Sequence, residues 1–390
     1  MNIALLGIDD DTLDLAQAAL EAGHALVAAY DVDAAGSEAL RKLLPRIEIS
    51  EAWENLLSRE AADAVIVARA SDDDRRADQL RKLVQEGVPM IVAHPVHDSM
   101  LIYYELDMIR QESLCPMLPY SPERWHPAVE RLAELTDGDG AAVGRLEQLT
   151  CERFLADRSK RSVVAHFVRD VEVLRLLAGD TNKIGAMAGS PASVDYANLG
   201  VQMSGPSGVA VRWTVGPAEP GIAFRLMAIG QRGKLTLTAS DDQRPWMIET
   251  RVGGEAKSES IGIAERADDP PSEALALLAE AMTGAEVTPT WIDAARDMEL
   301  ADGIERSVQR GRTIDLHFEE QTEQGTFKGM MAAGGCLLLM ATLALVVVGA
   351  LLGGAGVPIV QHWPYLMVVV LGGFLLLQFL RLAFPPKNRE

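Results

Sequence analysis

The sequence predicts an α/β protein: a doubly wound N-terminal domain over residues 1–118, an α+β domain with an open antiparallel sheet over 119–318, then two transmembrane helices. Three observations predict it. Near-continuous apolar runs alternate with amphipathic helical stretches through the first third, the pattern of a parallel sheet covered on both faces. After Pro119 strand-like runs cluster with fewer helices between them. From Gly329 to Leu380 the chain carries no Asp, Glu, Lys or Arg.

In the first domain, Asn2 to Gly7 reads as a strand, Thr12 to Ala22 as a helix and Ala25 to Asp31 as a strand. Ser37 to Leu44 and Ser50 to Ser58 read as helices, Ala64 to Ala68 as a buried strand, Arg75 to Gln85 as a helix and Met90 to Ala93 as a strand. In the second, a helix spans Glu123 to Leu135, a Gly-Asp-Gly turn follows at 138–140, Gly144 to Glu152 is a strand, and Val163 to Leu177 a helix. Gly208 to Val215, Ile222 to Ile229 and Lys234 to Ala239 alternate as antiparallel strands do. Helices at Ser272 to Met282 and Trp291 to Arg310 and a strand at Thr313 to Phe318 close this domain, and 319–328 is a polar linker.

The tail splits into apolar segments at 329–353 and 364–383, each near the roughly 17 to 25 residues that cross a bilayer. Gly353, Gly354, Gly356 and Pro358 mark the turn between them. The connecting loop holds no Lys or Arg, whereas Lys328 precedes the hairpin and Arg381, Lys387 and Arg389 follow it. Positive charge stays inside, so the expectation is a two-helix membrane protein with its globular part and both termini in the cytoplasm. The lipid bilayer is the expected partner of residues 329–383. The apolar run Ile3 to Leu6, followed by Asp9 to Asp11, is too short and too acidic for a secretory signal.

The formal charge of −20 argues against nucleic acid as partner, because phosphate binding rests on Lys and Arg. It also disfavours a broad face for anionic lipid. Only three cysteines occur, with no C-x-x-C pair, and the seven histidines lack helical i, i+4 pairing, so neither a disulfide framework nor a metal site is expected.

A strand ending in Gly7, a helix after it, and Asp31 at the end of the next strand make the layout of a Rossmann-type dinucleotide site. There the helix N-terminus receives the pyrophosphate and the acid a ribose hydroxyl. Only the first glycine of G-x-G-x-x-G survives in Gly7, Ile8, Asp9, Asp10, Asp11, Thr12. A carboxylate about 7 Å from a phosphate charge repels it by roughly 0.6 kcal/mol in water and about 2.4 kcal/mol at an effective dielectric of 20. The same acids suit an N-cap.

Further segments extend the pattern in order. Ala-Tyr-Asp ending at Asp31, Ala-Asp-Ala-Val-Ile-Val-Ala at 62–68, and Glu-Gly-Val-Pro-Met-Ile-Val-Ala-His-Pro at 86–95 resemble the Gfo/Idh/MocA oxidoreductases. Arg124 to Pro127, Val168 to Gly179 and Asp293 to Arg312 resemble that family's entrance to the second domain, its substrate-site helix and its closing helix, so the resemblance covers about residues 1–318. It implies a nicotinamide cofactor held by Gly7, Ile8, Asp31 and Ala68, a small-molecule ligand of sugar or polyol type, and self-association through the second-domain sheet. An acid at position 31 favours NAD over NADP.

The family's Glu-Lys-Pro loop reads Ala93, His94, Pro95 here, and the Asp and His of its substrate helix read Ala165 and Arg169. Neutral His94 is a candidate acid/base and Arg169, permanently protonated, a candidate clamp for an anionic substrate. The expectation is therefore a membrane-anchored oxidoreductase-fold protein with a degenerate catalytic site, binding NAD weakly or not at all, in a binding or regulatory role. The alternatives are an active NAD-dependent oxidoreductase using His94, and a structural partner of another membrane protein.

Overall fold

The computed structural model describes residues 1–316 apart from 59–60, 71, 137–141, 190–194, 241–243 and 263–268. The expected linker and both expected membrane segments lie outside the described residues. Among the described residues no helix is long and apolar enough to cross a membrane.

The first sheet holds β1 (Asn2–Leu6), β2 (Ala25–Tyr30), β3 (Glu48–Ser50), β4 (Ala64–Val67), β5 (Met90–Ala93) and β6 (Met117–Tyr120), in the order β3-β2-β1-β4-β5-β6. All five pairings are parallel. Every residue of β4 and β5 is buried, as a strand covered on both faces requires. The helices that join the strands are α1 (Asp10–Glu21), α2 (Ala34–Leu43), α3 (Asp73–Gln85) and α4 (Met100–Ser113). Strand order reverses between β1 and β4, and the crevice at that reversal is where doubly wound sheets take ligands.

Two short helices, α5 (Pro122–Trp125) and α6 (Pro127–Thr136), lead out of β6. The single helix expected over Glu123 to Leu135 is broken at His126 because Pro127 cannot donate back and pushes the residue before it out of helical conformation. The second sheet comprises β7 (Leu146–Leu155), β8 (Lys183–Met187), β9 (Gly200–Ser204), β10 (Ala210–Pro217), β11 (Phe224–Gly230), β12 (Gly233–Ala239), β13 (Trp246–Val252), β14 (Glu255–Ile261) and β15 (Ile314–Asp315). Their order is β14-β13-β12-β11-β7-β10-β9-β8-β15. The expected antiparallel sheet is mixed instead, since β7 and β10 run parallel from Gln148 opposite Ala210 to Leu155 opposite Pro217. The crossover helix between them, α7 (Lys160–Ala178), packs on both strands and makes that pairing possible. Helix α8 (Pro270–Met282) returns to pack on α1 and β6, and α9 (Trp291–Arg310) packs against α4, α7 and β8.

Ser50 to Ser58 is not the expected helix. Ser50 ends β3, paired to β2, and only a 3-10 turn at Trp53–Leu57 follows. Pairing at the sheet edge overrides local helical preference there. Along β7 the inward positions are Leu149, Cys151, Arg153 and Leu155, so one guanidinium sits in an otherwise apolar row.

Candidate functional site

The crevice is built from the carboxyl ends of β1, β2, β4 and β5, and each predicted residue is found there. Gly7 leaves β1 at φ +77°, a backbone region that costs glycine nothing. A Cβ on Gly7 would stand 2.6 Å from Nη2 of Arg76 and 3.2 Å from Cβ of Ala68, so the arginine covers the surface that a pyrophosphate would approach. Ile8 is half-buried, and its Cβ lies close to Gly36 in the first turn of α2. Ala68 is fully buried and donates its N–H to the Leu6 carbonyl at 2.9 Å.

The N-terminus of α1 has its own anion. Asp9 is the N-cap, its carboxylate accepting from the Thr12 N–H at 2.9 Å while the Thr12 hydroxyl accepts from the Asp9 N–H at 2.8 Å. Its second oxygen accepts from the Arg69 N–H at 3.1 Å. Asp31, at φ 53°, is held by Arg75 Nη2 at 2.8 Å and Gln79 Nε2 at 3.1 Å, with Arg76 Nη2 at 3.6 Å. Arg76 is buried, and burial draws its guanidinium down to about 10 although Asp31 pulls the other way. Its Nη1 donates to Gln79 at 2.9 Å, and its Nε has no hydrogen-bond partner among the described residues.

A chain of ion pairs spans the crevice. Arg69, two residues beyond the end of β4, donates Nη1 to the His94 carbonyl at 3.2 Å and Nη2 to Asp11. Asp11 lies 3.4 Å from Arg169 Nη1, and Arg169 reaches Glu123 at 2.7 Å through both Nε and Nη2. Burial tends to raise the Glu123 carboxyl, but the guanidinium groups of Arg169 and Arg153 outweigh it and hold it at about 2. Glu123 therefore stays ionised, and Arg169 has its fork occupied from within the chain. Ala165 lies one turn earlier on α7 and offers nothing polar.

His94 directly follows β5 and is 1 % exposed. Its N–H donates to the Tyr120 carbonyl at 2.8 Å and its Nδ1 lies 3.2 Å from the Tyr103 hydroxyl, which itself accepts from the Val96 N–H at 2.8 Å. The Tyr103 hydroxyl has a proton to donate and a second lone pair to accept with, so it partners Nδ1 in either neutral tautomer. Nε2 faces Asp297 Oδ2 at 3.9 Å, beyond hydrogen-bond reach, and neither atom has a partner among the described residues. Burial first, then the charges of Arg69, Arg169 and Arg175, depress the imidazole to about 3, so it is neutral at every physiological pH. The other Asp297 oxygen accepts from Arg175 Nη1 at 2.6 Å. Beside it, Glu172 accepts from the Ser121 hydroxyl and is pushed well above the ordinary carboxylate range by burial and by Asp297.

Sequence reasoning placed Gly7, Ile8, Asp31, Ala68, His94 and Arg169 around one crevice. It missed Arg69, Arg76, Glu123, Tyr103 and Asp297. An arginine directly after the apolar run 64–68 was the visible signal for Arg69, and an acid on the buried face of α9, between Ala294 and Met298, the one for Asp297.

A nicotinamide dinucleotide does not fit these residues as they stand. Arg76 covers Gly7, the Asp9 carboxylate occupies the Thr12 N–H at the start of α1, Asp31 is engaged by three side chains, and the Arg69–Asp11–Arg169–Glu123 ladder crosses the space beyond. Among the described residues no group of three or more His, Cys, Asp and Glu is arranged to hold a metal ion.

No family model matches the sequence and no curated protein matches it. Solved structures do. A myo-inositol dehydrogenase from Corynebacterium glutamicum superposes with a TM-score of 0.62 at 20% identity, over 81% of this chain and 99% of that one. The aldose-aldose oxidoreductase of Caulobacter crescentus gives 0.68 at 14% identity, over 81% and 99%. An oxidoreductase from Agrobacterium radiobacter, in complex with NAD+, L-tartaric acid and magnesium, gives 0.67 at 13% identity, over 81% and 98%. Likeness at these identities is likeness of fold: residues 1–316 share with these oxidoreductases a Rossmann-type parallel sheet joined to a mixed sheet.

Proposed function

We propose that this chain is a membrane-anchored protein on the Gfo/Idh/MocA scaffold whose former catalytic cleft is closed by its own side chains, leaving a binding or regulatory role. The observation that carries the reading is the ladder from Arg69 through Asp11 and Arg169 to Glu123, continued by Arg76 over Gly7. Four charges that a cofactor and substrate would have to meet are already neutralised within the fold, and opening them strands partly buried charge. His94 supports the same reading: a buried imidazole held near pKa 3 is poorly matched to accept a hydroxyl proton near neutral pH.

The active alternative, hydride transfer to or from a sugar-like or polyol-like substrate with His94 as acid/base, requires NAD to displace that ladder. Titrating the purified full chain in detergent with NAD+, NADH, NADP+ and NADPH by calorimetry separates the two. No heat of binding up to millimolar cofactor is the expected result, and micromolar affinity overturns the proposal.

The tail, in this reading, is a hairpin in the bilayer with both ends cytoplasmic. A His362→Cys variant in intact cells is expected to react with a membrane-impermeant maleimide added outside. Protection of that position refutes the orientation.

A further inference from the structure

One edge of the second sheet is a strand with no neighbour on its outer side among the described residues. β14 ends the strand order and pairs with β13, from Val252 opposite Glu255 to Trp246 opposite Ile261. Its register has no bulge, it contains no proline, and six of its seven residues are exposed, so two common devices that blunt a sheet edge are missing. The turn before it fixes which backbone groups stay open. Gly253 and Gly254, at φ +58° and +90°, form a two-residue type I′ turn, whose flanking residues exchange both of their hydrogen bonds. Bonded pairs recur at every second position, so Glu255, Lys257, Glu259 and Ile261 spend their N–H and C=O groups on β13. Those of Ala256, Ser258 and Ser260 point away from the sheet, where no described strand meets them.

Charge along the strand selects the partner. Residues directly opposite one another share a face, so Lys257 and Glu259 lie on the side of buried Ile248, where Glu259 meets Arg131 of α6 at 3.4 Å. That is the covered side of the sheet, and the edge charges are therefore distinct from the open face that carries Met247 and Arg251. We propose that β14 pairs antiparallel with β14 of a second copy of this chain, about a two-fold axis at Ser258, joining two nine-stranded sheets into one. A two-fold pairing of identical strands is centred on one residue, and Ser258 is the centre that engages all seven. It sets the open groups of Ala256 against those of Ser260 and Ser258 against its own copy, so every outward N–H and C=O is met. It also sets Lys257 opposite Glu259 of the second copy, twice, at non-hydrogen-bonded positions where Cα atoms approach to about 4.5 Å and side chains are closest. Moving the centre by one residue sets Lys257 against Lys257 or Glu259 against Glu259, so charge fixes the register.

The test uses the full chain in detergent carrying Cys336→Ser and Ser258→Cys, with Cys115 and Cys151 buried. Across the two-fold axis the Cα atoms at 258 stand about 5.5 Å apart, which a disulfide spans, whereas those at 260 stand about 14 Å apart. Oxidation with copper phenanthroline is expected to give a covalent dimer with Ser258→Cys and several-fold less with Ser260→Cys. Adding Lys257→Glu is expected to lose the dimer, in cross-linking and in light scattering, because acids then face acids. Lys257→Glu combined with Glu259→Lys is expected to restore it, since the exchanged charges meet again. Equal cross-linking at 258 and 260 overturns the proposal. So does a dimer that survives Lys257→Glu, which is held by another surface such as the open face. A chain that stays monomeric throughout overturns it as well, and leaves the edge to solvent or to a strand from another protein.

Discussion

Arg153→Leu is expected to lower the unfolding free energy of the globular part by about 3–5 kcal/mol, read from urea or thermal denaturation, because it leaves a buried carboxylate without its counter-charge. Arg153 is 4 % exposed and Asp170 3 %. The pair is bidentate, with Nε to Oδ2 at 3.0 Å and Nη2 to Oδ1, and Asp170 also accepts from Trp213 Nε1 at 2.8 Å. The guanidinium further lies 4.6 Å from the Phe224 ring centroid. Removing it exposes Asp170 to the full desolvation cost, whereas Arg153→Leu with Asp170→Asn removes both charges and keeps an acceptor for Trp213. The double variant is expected to recover more than half of the loss. A single-variant loss under about 1 kcal/mol, the range of exposed pairs, defeats this account of the domain core.

That pair also explains how far the sequence could be read. Asp170 lies one position after Arg169 on α7, which turns its carboxylate into the sheet core while Arg169 faces the crevice. The match of 168–179 to the family's substrate-site helix is what made Arg169 legible as a cleft residue. Nothing local announces that Asp170 meets an arginine on β7, since an ion pair between a strand and its crossover helix depends on the register of the mixed sheet. The strand and helix alternation of the first domain was legible because buried parallel strands are continuous apolar runs. Helix α4 was not, because Leu101, Met108 and Leu114 are exposed while Tyr103 and Leu106 are buried, and apolar residues on both sides blur the helical period. Arg76 covering Gly7 was equally hidden, for it joins the end of β1 to a helix that follows β4.

Glu172→Gln is expected to reduce the loss of stability that the wild-type protein suffers as pH rises above the carboxylate range, leaving the smaller part due to Asp297, whose buried carboxyl is also raised. Glu172 is buried, accepts from Ser121, and is raised first by burial and then by the nearby Asp297, so the folded state holds its proton where the unfolded chain has released it. The groups that face it are Asp297 on α9, Ser121 at the end of β6, and Arg124 and Glu123 on α5. A folded pKa above the unfolded one gives stability that is complete below about 4.5 and is lost as pH climbs through the folded value, at about 1.4 kcal/mol for each unit of displacement. Glutamine keeps the shape and the acceptor for Ser121 and cannot ionise. The variant is thus expected to match the wild type near pH 4.5 and to exceed it increasingly toward pH 8, in denaturation midpoints measured across that range. His94 works in the opposite sense. Its folded pKa of about 3 lies below the ordinary 6.5, so its contribution is complete above 6.5 and is lost as pH falls toward 3. The acid limb of the profile is therefore expected to survive in Glu172→Gln and only the alkaline limb to flatten. Superimposable alkaline limbs in wild type and variant show that Glu172 is ionised in the fold, and then the crevice wall at α7 and α9 carries one more buried negative charge than its neutral pairing with Ser121 allows.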